Sequence, residues 1–227
     1  MAEPPAELRE EVSRDDRGHI RERKFTRRGK IEGAYTSFFG NGQIMVRMNF
    51  LNGRKEGEAV SFYPDGQMRE KGFFKNDKLE REYLSWYENG GPRERETYRD
   101  GLLDGPYVFY FRNGRIRDEE NFRMGKFDGE YRSYYKSGRL RERGAFRNGQ
   151  RDAEYEAYDR EGKLREKALY RDGKLVGKFM TFVKEDAAAG EMNGDPGLSP
   201  EDMDSDREKQ EKAVDDLLKN LQNFNNP

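Results

Sequence analysis

Glycine recurs at a fixed interval of 24 residues through most of this 227-residue chain. The first series is Gly18, Gly42, Gly66, Gly90, Gly114, Gly138 and Gly162. A second series follows 11 residues after each of these and is broken only at Asp77: Gly29, Gly53, Gly101, Gly125, Gly149 and Gly173. Such a period is typical of proteins built from one repeated supersecondary unit. We number the positions of each unit 1–24, and the units begin at Gly33, Gly57, Arg81, Gly105, Gly129 and Ala153.

Each unit has the pattern of one β-hairpin. In residues 129–152, GEYRSYYKSGRLRERGAFRNGQRD, two alternating segments are separated by Lys-Ser-Gly and followed by Arg-Asn-Gly. Gly and Asn supply the positive φ angles that tight hairpin turns require, and short alternating segments are typical of strands. The sequence therefore predicts an all-β protein, an elongated single-layer antiparallel β-hairpin repeat ribbon of about seven units.

Side-chain alternation assigns the unit positions to two faces. If position 7 pairs with position 12, then positions 1, 3, 7, 12 and 18 share a core face, and position 6 lies opposite position 13 on the second face. The acids of position 14 then lie on the core side, where the alternatives are pairing with neighbouring arginines or a position at a solvated edge. The aromatic row at position 6 includes Phe62, Trp86, Tyr110, Tyr134 and Tyr158. The row at position 13 includes Arg69, Arg93, Arg117, Arg141 and Arg165.

A guanidinium over an aromatic ring is a favourable contact, so this register predicts a ladder of alternating rings and arginines. Tyr, Trp and Arg are enriched at binding hot spots. The ladder is therefore a candidate partner-binding surface. The alternative is that it only stabilises a single-layer sheet.

The two ends of the chain depart from the repeat. The sequence predicts a flexible N-terminus (1–15), the repeat array (16–184), a linker (185–199), an amphipathic helix (200–222) and a flexible end (223–227). Ser199 and Pro200 have the pattern of a helix start. A second candidate partner-binding surface follows at helical spacing: Val214, Leu217, Leu218 and Leu221. This helix is expected to dock on a partner, on a second copy or on the end of the array.

Composition excludes several classes of function. Lys and Arg number 44 and Asp and Glu 45, so the basic excess typical of nucleic-acid binding is missing. Cysteine is absent and His19 is the only histidine, and the glycines do not form a phosphate-binding motif. We expect no enzyme activity, cofactor or metal, with a glycan-acting or hydrolytic enzyme as a minor alternative. No secretory signal or transmembrane segment is evident, so a cytoplasmic location is expected.

Two stretches carry a family resemblance. They are Gly57-Glu-Ala-Val-Ser-Phe-Tyr-Pro-Asp-Gly-Gln-Met68 and Asp128-Gly-Glu-Tyr-Arg-Ser-Tyr-Tyr-Lys-Ser-Gly-Arg-Leu140. The units resemble the variant MORN repeat, and the whole array is similar to the YwqK-type family of bacterial MORN-like antitoxins. The resemblance implies a non-catalytic ribbon that binds a protein partner, a cognate toxin being one candidate. It also implies an alternative, a self-associating scaffold with membrane-lipid contact.

Overall fold

The computed structural model describes residues 6–177 and 179–181. These residues contain no helix and form a single antiparallel sheet of 20 strands. The strands are β1 (Arg9–Arg14), β2 (Ile20–Arg27), β3 (Lys30–Phe38), β4 (Ile44–Leu51), β5 (Arg54–Lys55), β6 (Gly57–Phe62), β7 (Met68–Lys75), β8 (Lys78–Trp86), β9 (Pro92–Arg99), β10 (Leu102–Leu103), β11 (Gly105–Tyr110), β12 (Ile116–Arg123), β13 (Lys126–Phe127), β14 (Gly129–Tyr134), β15 (Leu140–Arg147), β16 (Gln150–Arg151), β17 (Ala153–Tyr158), β18 (Leu164–Arg171), β19 (Lys174–Leu175) and β20 (Met180–Thr181). The predicted all-β hairpin repeat is confirmed.

The loop between the two strands of a unit is a tight turn that ends on a glycine. In the unit that begins at Gly33, the Phe39 N–H donates to the Gln43 carbonyl at 2.8 Å, and the Gly42 N–H donates to the Phe39 carbonyl at 3.0 Å. Gly42 has a φ of 83°, the left-handed conformation that such hairpin loops need and that glycine adopts without steric cost. Position 7 therefore pairs with position 11, one residue earlier than the sequence predicts.

The second turn of each unit has two residues, both with positive φ. In the first full unit they are Asn52 (φ 52°) and Gly53 (φ 81°), the combination typical of a type I′ hairpin turn. Asp77, which breaks the second glycine series, has a φ of 68° in the same conformation. Asp is among the few residues other than glycine that tolerate it, so the turn is kept.

The predicted strand register is confirmed for positions 1–5 of every unit. Position 1 lies opposite the aromatic residue of position 18, and the pairs are Gly33–Phe50, Gly57–Phe74, Arg81–Tyr98, Gly105–Phe122, Gly129–Phe146 and Ala153–Tyr170. The register then shifts by one residue between positions 5 and 6. Position 6 consequently pairs with position 12, and position 13 is the extra residue of a β-bulge.

Neighbouring units are joined by backbone and side-chain hydrogen bonds. Strand β4 pairs with β3 of its own unit and with β6 of the next unit. The Tyr63 hydroxyl donates to the Trp86 carbonyl of the next unit at 2.8 Å, and the Tyr135 hydroxyl donates to the Tyr158 carbonyl at 2.7 Å. The carboxylate at position 24 also accepts a hydrogen bond from the first N–H of the two-residue turn in the next unit. These carboxylates are Glu32, Glu56, Glu80, Asp104, Asp128 and Asp152.

The core consists of aromatic pairs that repeat along one face of the sheet. The ring at position 3 meets the ring at position 18 edge-on, as in Tyr35 and Phe50, whose centroids are 5.9 Å apart. Phe127 connects two such pairs, with its ring 4.4 Å from that of Phe122 and 5.2 Å from that of Phe146. Edge-on contacts of this kind add to the free energy gained by burying the rings, and Phe127 joins the cores of the units that begin at Gly105 and Gly129.

The array begins at residue 9, where the sequence suggests a degenerate unit, and not at the predicted boundary of residue 16. Residues 9–14, within the segment 1–15 that the sequence predicts as flexible, form β1 and pair with β2. All six side chains of this edge strand are exposed and most are charged, so the strand has no apolar alternation to reveal it and is held by backbone hydrogen bonds. Residue contacts divide the chain into two units, Met1–Val183 and Lys184–Pro227, and all described strands belong to the first.

Candidate binding face

The bulge at position 13 moves the arginine row to the core face. Arg117 Nε lies 2.9 Å from Asp118 Oδ2, and Arg141 Nη2 lies 2.8 Å from Glu142 Oε1. The Arg117 guanidinium also lies 4.6 Å from the centroid of Phe109, a residue of position 5 on the core side. The corresponding pairs in the two preceding units are Arg69–Glu70 at 3.2 Å and Arg93–Glu94 at 3.8 Å. The predicted pairing of position-6 rings with position-13 arginines is therefore wrong, because one extra residue reverses the face of a side chain.

The carboxylates of position 14 form a buried polar row with these arginines. The Ser85 hydroxyl donates to Glu94 Oε2 at 2.9 Å, and the Tyr155 hydroxyl donates to Glu142 Oε2 at 2.8 Å. Glu94 is 6% exposed and Asp118 is 3% exposed, and burial raises the pKa of both carboxyl groups. Of the two alternatives for these acids, pairing with neighbouring arginines is the one observed, and hydroxyl groups of the fold add further hydrogen bonds.

The second face carries an apolar patch in place of the predicted ladder. We define the apolar patch as the position-4 and position-6 residues of three consecutive units: Val60, Phe62, Leu84, Trp86, Val108 and Tyr110. The aromatic members pair across the hairpin with apolar residues of position 12: Met68, Pro92 and Ile116. Val60 is buried at 4% exposure, and the other five members are half-buried. Three rows of apolar side chains therefore lie side by side on this face.

Ion pairs border the apolar patch and neutralise one another. Lys71 Nζ lies 2.7 Å from Glu58 Oε2, and Arg95 Nε lies 2.6 Å from Glu82 Oε1. These pairs join position 15 to position 2, which share the second face with positions 4 and 6. The border is charged but internally paired, an arrangement similar to the polar rim that surrounds the apolar centre of a protein interface.

The second face changes character in the last two units. Position 4 becomes Arg132 and then Glu156, which ends the apolar row. The Tyr134 hydroxyl donates to Glu119 Oε2 at 2.7 Å, and burial together with this carboxylate raises the tyrosine pKa to about 12. The Tyr158 hydroxyl donates to Glu156 Oε2 at 2.5 Å. This bond, assisted by neighbouring cations, lowers the pKa of Glu156 to about 2.

The predicted partner-binding residues therefore separate into four groups. Phe62, Trp86 and Tyr110 lie together in the apolar patch. Tyr134 and Tyr158 lie on the same face, but their hydroxyl groups bind carboxylates of the sheet. The first four arginines pair with buried or half-buried acids, while Arg165 Nη1 lies 3.9 Å from Asp159 Oδ2. The predicted helix residues lie outside the described residues: Val214, Leu217, Leu218 and Leu221.

The sequence prediction missed the aliphatic partners of the rings. Position 4 is apolar in three successive units, at Val60, Leu84 and Val108, and charged in the two that follow. This change along one repeat position was a signal available in the sequence. Position 12 was assigned to the core face because the predicted register did not include the bulge.

Among the described residues, no group of three or more His, Cys, Asp or Glu side chains is placed to hold a metal ion. Within residues 6–177 and 179–181 there is also no helix of the length and apolarity needed to cross a membrane.

A single sheet of stacked β-hairpins, joined by strand pairing between successive units, defines a β-repeat protein. Four segments of the chain match the model of the MORN repeat variant: residues 31–52, 55–76, 127–148 and 151–172. These four matches support a MORN-type repeat architecture, and such repeats are generally non-enzymatic and suggest a binding or scaffold role. The two intervening units, which contain Trp86 and Tyr110, are not among the matched segments. No curated protein matches the chain.

Proposed function

We propose that this protein is a non-catalytic interaction module that binds a partner protein through the apolar patch. The observation that carries the proposal is the position of the patch. Three half-exposed rings, Phe62, Trp86 and Tyr110, lie next to aliphatic side chains on a sheet face that the described strands leave uncovered. Contiguous apolar surface with a polar border marks interaction sites on soluble proteins, and Trp and Tyr are frequent binding hot spots.

The repeat itself supports this assignment. A requirement of the fold appears in every unit, as the ring at position 18 does. The aliphatic residues of position 4 do not recur in this way, because Arg132 and Glu156 occupy the same position without interrupting the sheet. The apolar patch therefore exceeds what the fold needs, and a partner with a complementary apolar surface accounts for it.

The partner is proposed only as a protein that presents apolar side chains. A cognate toxin is one candidate, and it rests on the resemblance to the YwqK-type family. The cytoplasmic location and the role of the C-terminal residues after 199 likewise remain predictions.

The test transfers residues between equivalent positions. Leu84→Glu and Val108→Arg place on the patch the side-chain types that position 4 carries in the last two units, so the fold should accept them. Tagged wild-type protein and this double variant would be compared by affinity purification from the native host, followed by binding measurements with the purified partner. We expect the partner to bind the wild type at a fixed stoichiometry and the double variant at least tenfold more weakly, since burying unpaired charges is costly.

A matched control makes the result specific. Arg132→Gln and Glu130→Gln change two charged residues on the same face outside the apolar patch, and they should leave the affinity within about twofold. Equal binding by the wild type and the Leu84→Glu, Val108→Arg variant would refute the proposal.

A second candidate function, a self-associating scaffold, is favoured by one observation. Strand β1 (Arg9–Arg14) is an edge strand with exposed side chains, and the open edge of a sheet can pair with another chain. Its charged residues oppose such pairing unless the second copy offers opposite charges in register. Light scattering over a range of protein concentrations tests this candidate, and a monomeric mass throughout would exclude it. Lipid contact is tested by co-sedimentation with vesicles.

A further inference from the structure

The loops at positions 8–11 form a polarised edge of the sheet. In the units that begin at Gly33, Gly57 and Arg81 these loops contain no Lys or Arg. In the next three units they contain six, which we call the basic loop edge: Arg112, Arg115, Lys136, Arg139, Arg160 and Lys163. All six loops have the same backbone hydrogen bonds between positions 7, 10 and 11. The fold therefore does not require the cations.

Three arginines of the basic loop edge are held in fixed positions. Arg115 Nη1 donates to the Lys136 carbonyl at 3.1 Å and to the Ser137 carbonyl. Arg139 Nη1 donates to the Arg160 carbonyl at 2.7 Å, and the Arg112 guanidinium lies 5.0 Å from a tyrosine ring centroid. A guanidinium has five N–H donors, and in Arg115 and Arg139 these contacts use only one nitrogen. The remaining donors are preorganised for an anion.

Two acidic residues offset only part of the charge of these six cations. Asp159 directly precedes the third basic loop, and its carboxylate accepts hydrogen bonds from the Lys163 N–H at 2.8 Å and the Glu161 N–H at 3.1 Å. These backbone bonds lower the Asp159 pKa, so the group stays ionised. Glu161 is the other acid, and it is exposed. The edge therefore keeps a positive potential over three consecutive units.

The spacing of these loops indicates the kind of ligand. Equivalent loops are two strands apart, which is about 9.6 Å at the usual spacing in a sheet. Three residues of an extended peptide span about the same distance. From this match we infer that the basic loop edge binds an acidic, Asp- and Glu-rich segment of a protein, whose carboxylates bridge the guanidinium groups of successive loops.

Nucleic acid and membrane fit this edge less well. Single-stranded nucleic acid binds where bases can stack on aromatic rings, but the Tyr87 ring lies under Arg112 and the Tyr135 hydroxyl is bound to the Tyr158 carbonyl. Proteins that insert into a membrane surface present apolar side chains beside the basic ones. The three loops have none, since they read Arg-Asn-Gly-Arg, Lys-Ser-Gly-Arg and Arg-Glu-Gly-Lys.

The test uses a fluorescein-labelled poly-glutamate peptide and the full chain, read by fluorescence anisotropy at low salt. Arg115→Gln with Arg139→Gln introduces the residue that position 11 carries at Gln43 and Gln67, so folding should be preserved and is checked by circular dichroism. We expect this double variant to bind about tenfold more weakly. Glu161→Gln should bind more tightly than the wild type.

The control removes the same net charge from the opposite edge of the sheet, which is formed by the two-residue turns. Arg123→Gln with Lys126→Gln should leave the affinity within about twofold if binding is local. Equal loss in the two double variants would overturn the inference, because it would show a response to net charge alone. Tighter binding of a labelled oligonucleotide, or of vesicles containing phosphatidylserine, than of poly-glutamate would also overturn it. Because the apolar patch is unchanged in all these variants, failure here leaves the proposed function standing.

Discussion

The two glycines at position 16, Gly72 and Gly144, should respond in opposite ways to the same substitution. Neither has a positive φ, so alanine causes no backbone strain at either site. A Cβ added at Gly144 would lie 3.6 Å from Tyr155 Cδ2, an ordinary van der Waals distance. A Cβ added at Gly72 would lie 3.0 Å from Tyr83 Cδ2 and 3.1 Å from Leu79 Cδ2, which is closer than these carbons can approach without movement.

These distances translate into free energies of opposite sign. Replacing glycine by alanine restricts the unfolded chain and stabilises the folded state by about 0.4–1 kcal/mol where no strain results. At Gly144 the methyl group also fills a half-buried site, so Gly144→Ala should stabilise the array by about 1 kcal/mol. At Gly72, displacing two packed side chains costs about 1–3 kcal/mol. Gly72→Ala should therefore be destabilising by about 1 kcal/mol.

Urea denaturation and thermal melting followed by far-ultraviolet circular dichroism would measure both variants. For an array of this size, 1 kcal/mol corresponds to a change in Tm of about 2–4 °C. The melting temperature should rise for Gly144→Ala and fall for Gly72→Ala. Similar shifts in both variants would refute the reasoning, because they would mean that position 16 responds to glycine itself and not to its neighbours.

Three further predictions follow from single contacts. Met124 has a φ of 50° at a turn position that is Asn in three other units. Met124→Asn should therefore raise the free energy of unfolding, measured with urea, by about 0.5–1 kcal/mol, and an unchanged value would show that the backbone of Met124 is not strained. Tyr135→Phe removes the 2.7 Å hydrogen bond to the Tyr158 carbonyl and should lower the urea-derived stability by about 1 kcal/mol; unchanged stability would exclude a contribution from this bond. Burial raises the pKa of Glu94 and Asp118 above their unfolded values, so the folded state gains stability as pH falls through those raised values. The urea midpoint should rise as the pH is lowered from neutrality towards the ordinary carboxyl pKa, and it should rise less in Glu94→Gln. An equal rise in that variant would assign the effect to other groups.

The repeat period and its turn residues were enough to predict the fold. Glycine and asparagine at the two turns, together with aromatic alternation, predict hairpins, and pairing Gly33 with Phe50 places the core row correctly. The loop geometry could not be predicted in the same way. Whether position 7 closes with position 11 or position 12 depends on a bulge at position 13, and a bulge leaves no mark in side-chain alternation.

The error in the loop explains the error at the site. One extra residue in the second strand exchanges the faces of positions 12 and 13, so Arg117 meets Asp118 while Ile116 meets Tyr110. The prediction therefore named the aromatic residues of position 6 correctly but gave them the wrong cross-strand partners. The segment Arg9–Arg14 was assigned to the flexible N-terminus for a different reason: its side chains are all exposed and mostly charged, so they show no apolar alternation.

The contacts between units also bear on how the length of such a protein can change. Each junction uses a position-24 carboxylate and a strand pairing that recur at the same positions, and three junctions add a position-7 hydroxyl that donates to a backbone carbonyl, a group that every residue provides. Deleting residues 81–104 would join Glu80 to Gly105 and offer the Tyr63 hydroxyl the carbonyl of Tyr110 in place of that of Trp86. A deletion of one residue more or fewer would offer it a carbonyl on the wrong side of the strand. Gain or loss of coding sequence is thus tolerated in whole units, and unequal recombination between repeats can lengthen or shorten the array without redesigning any junction.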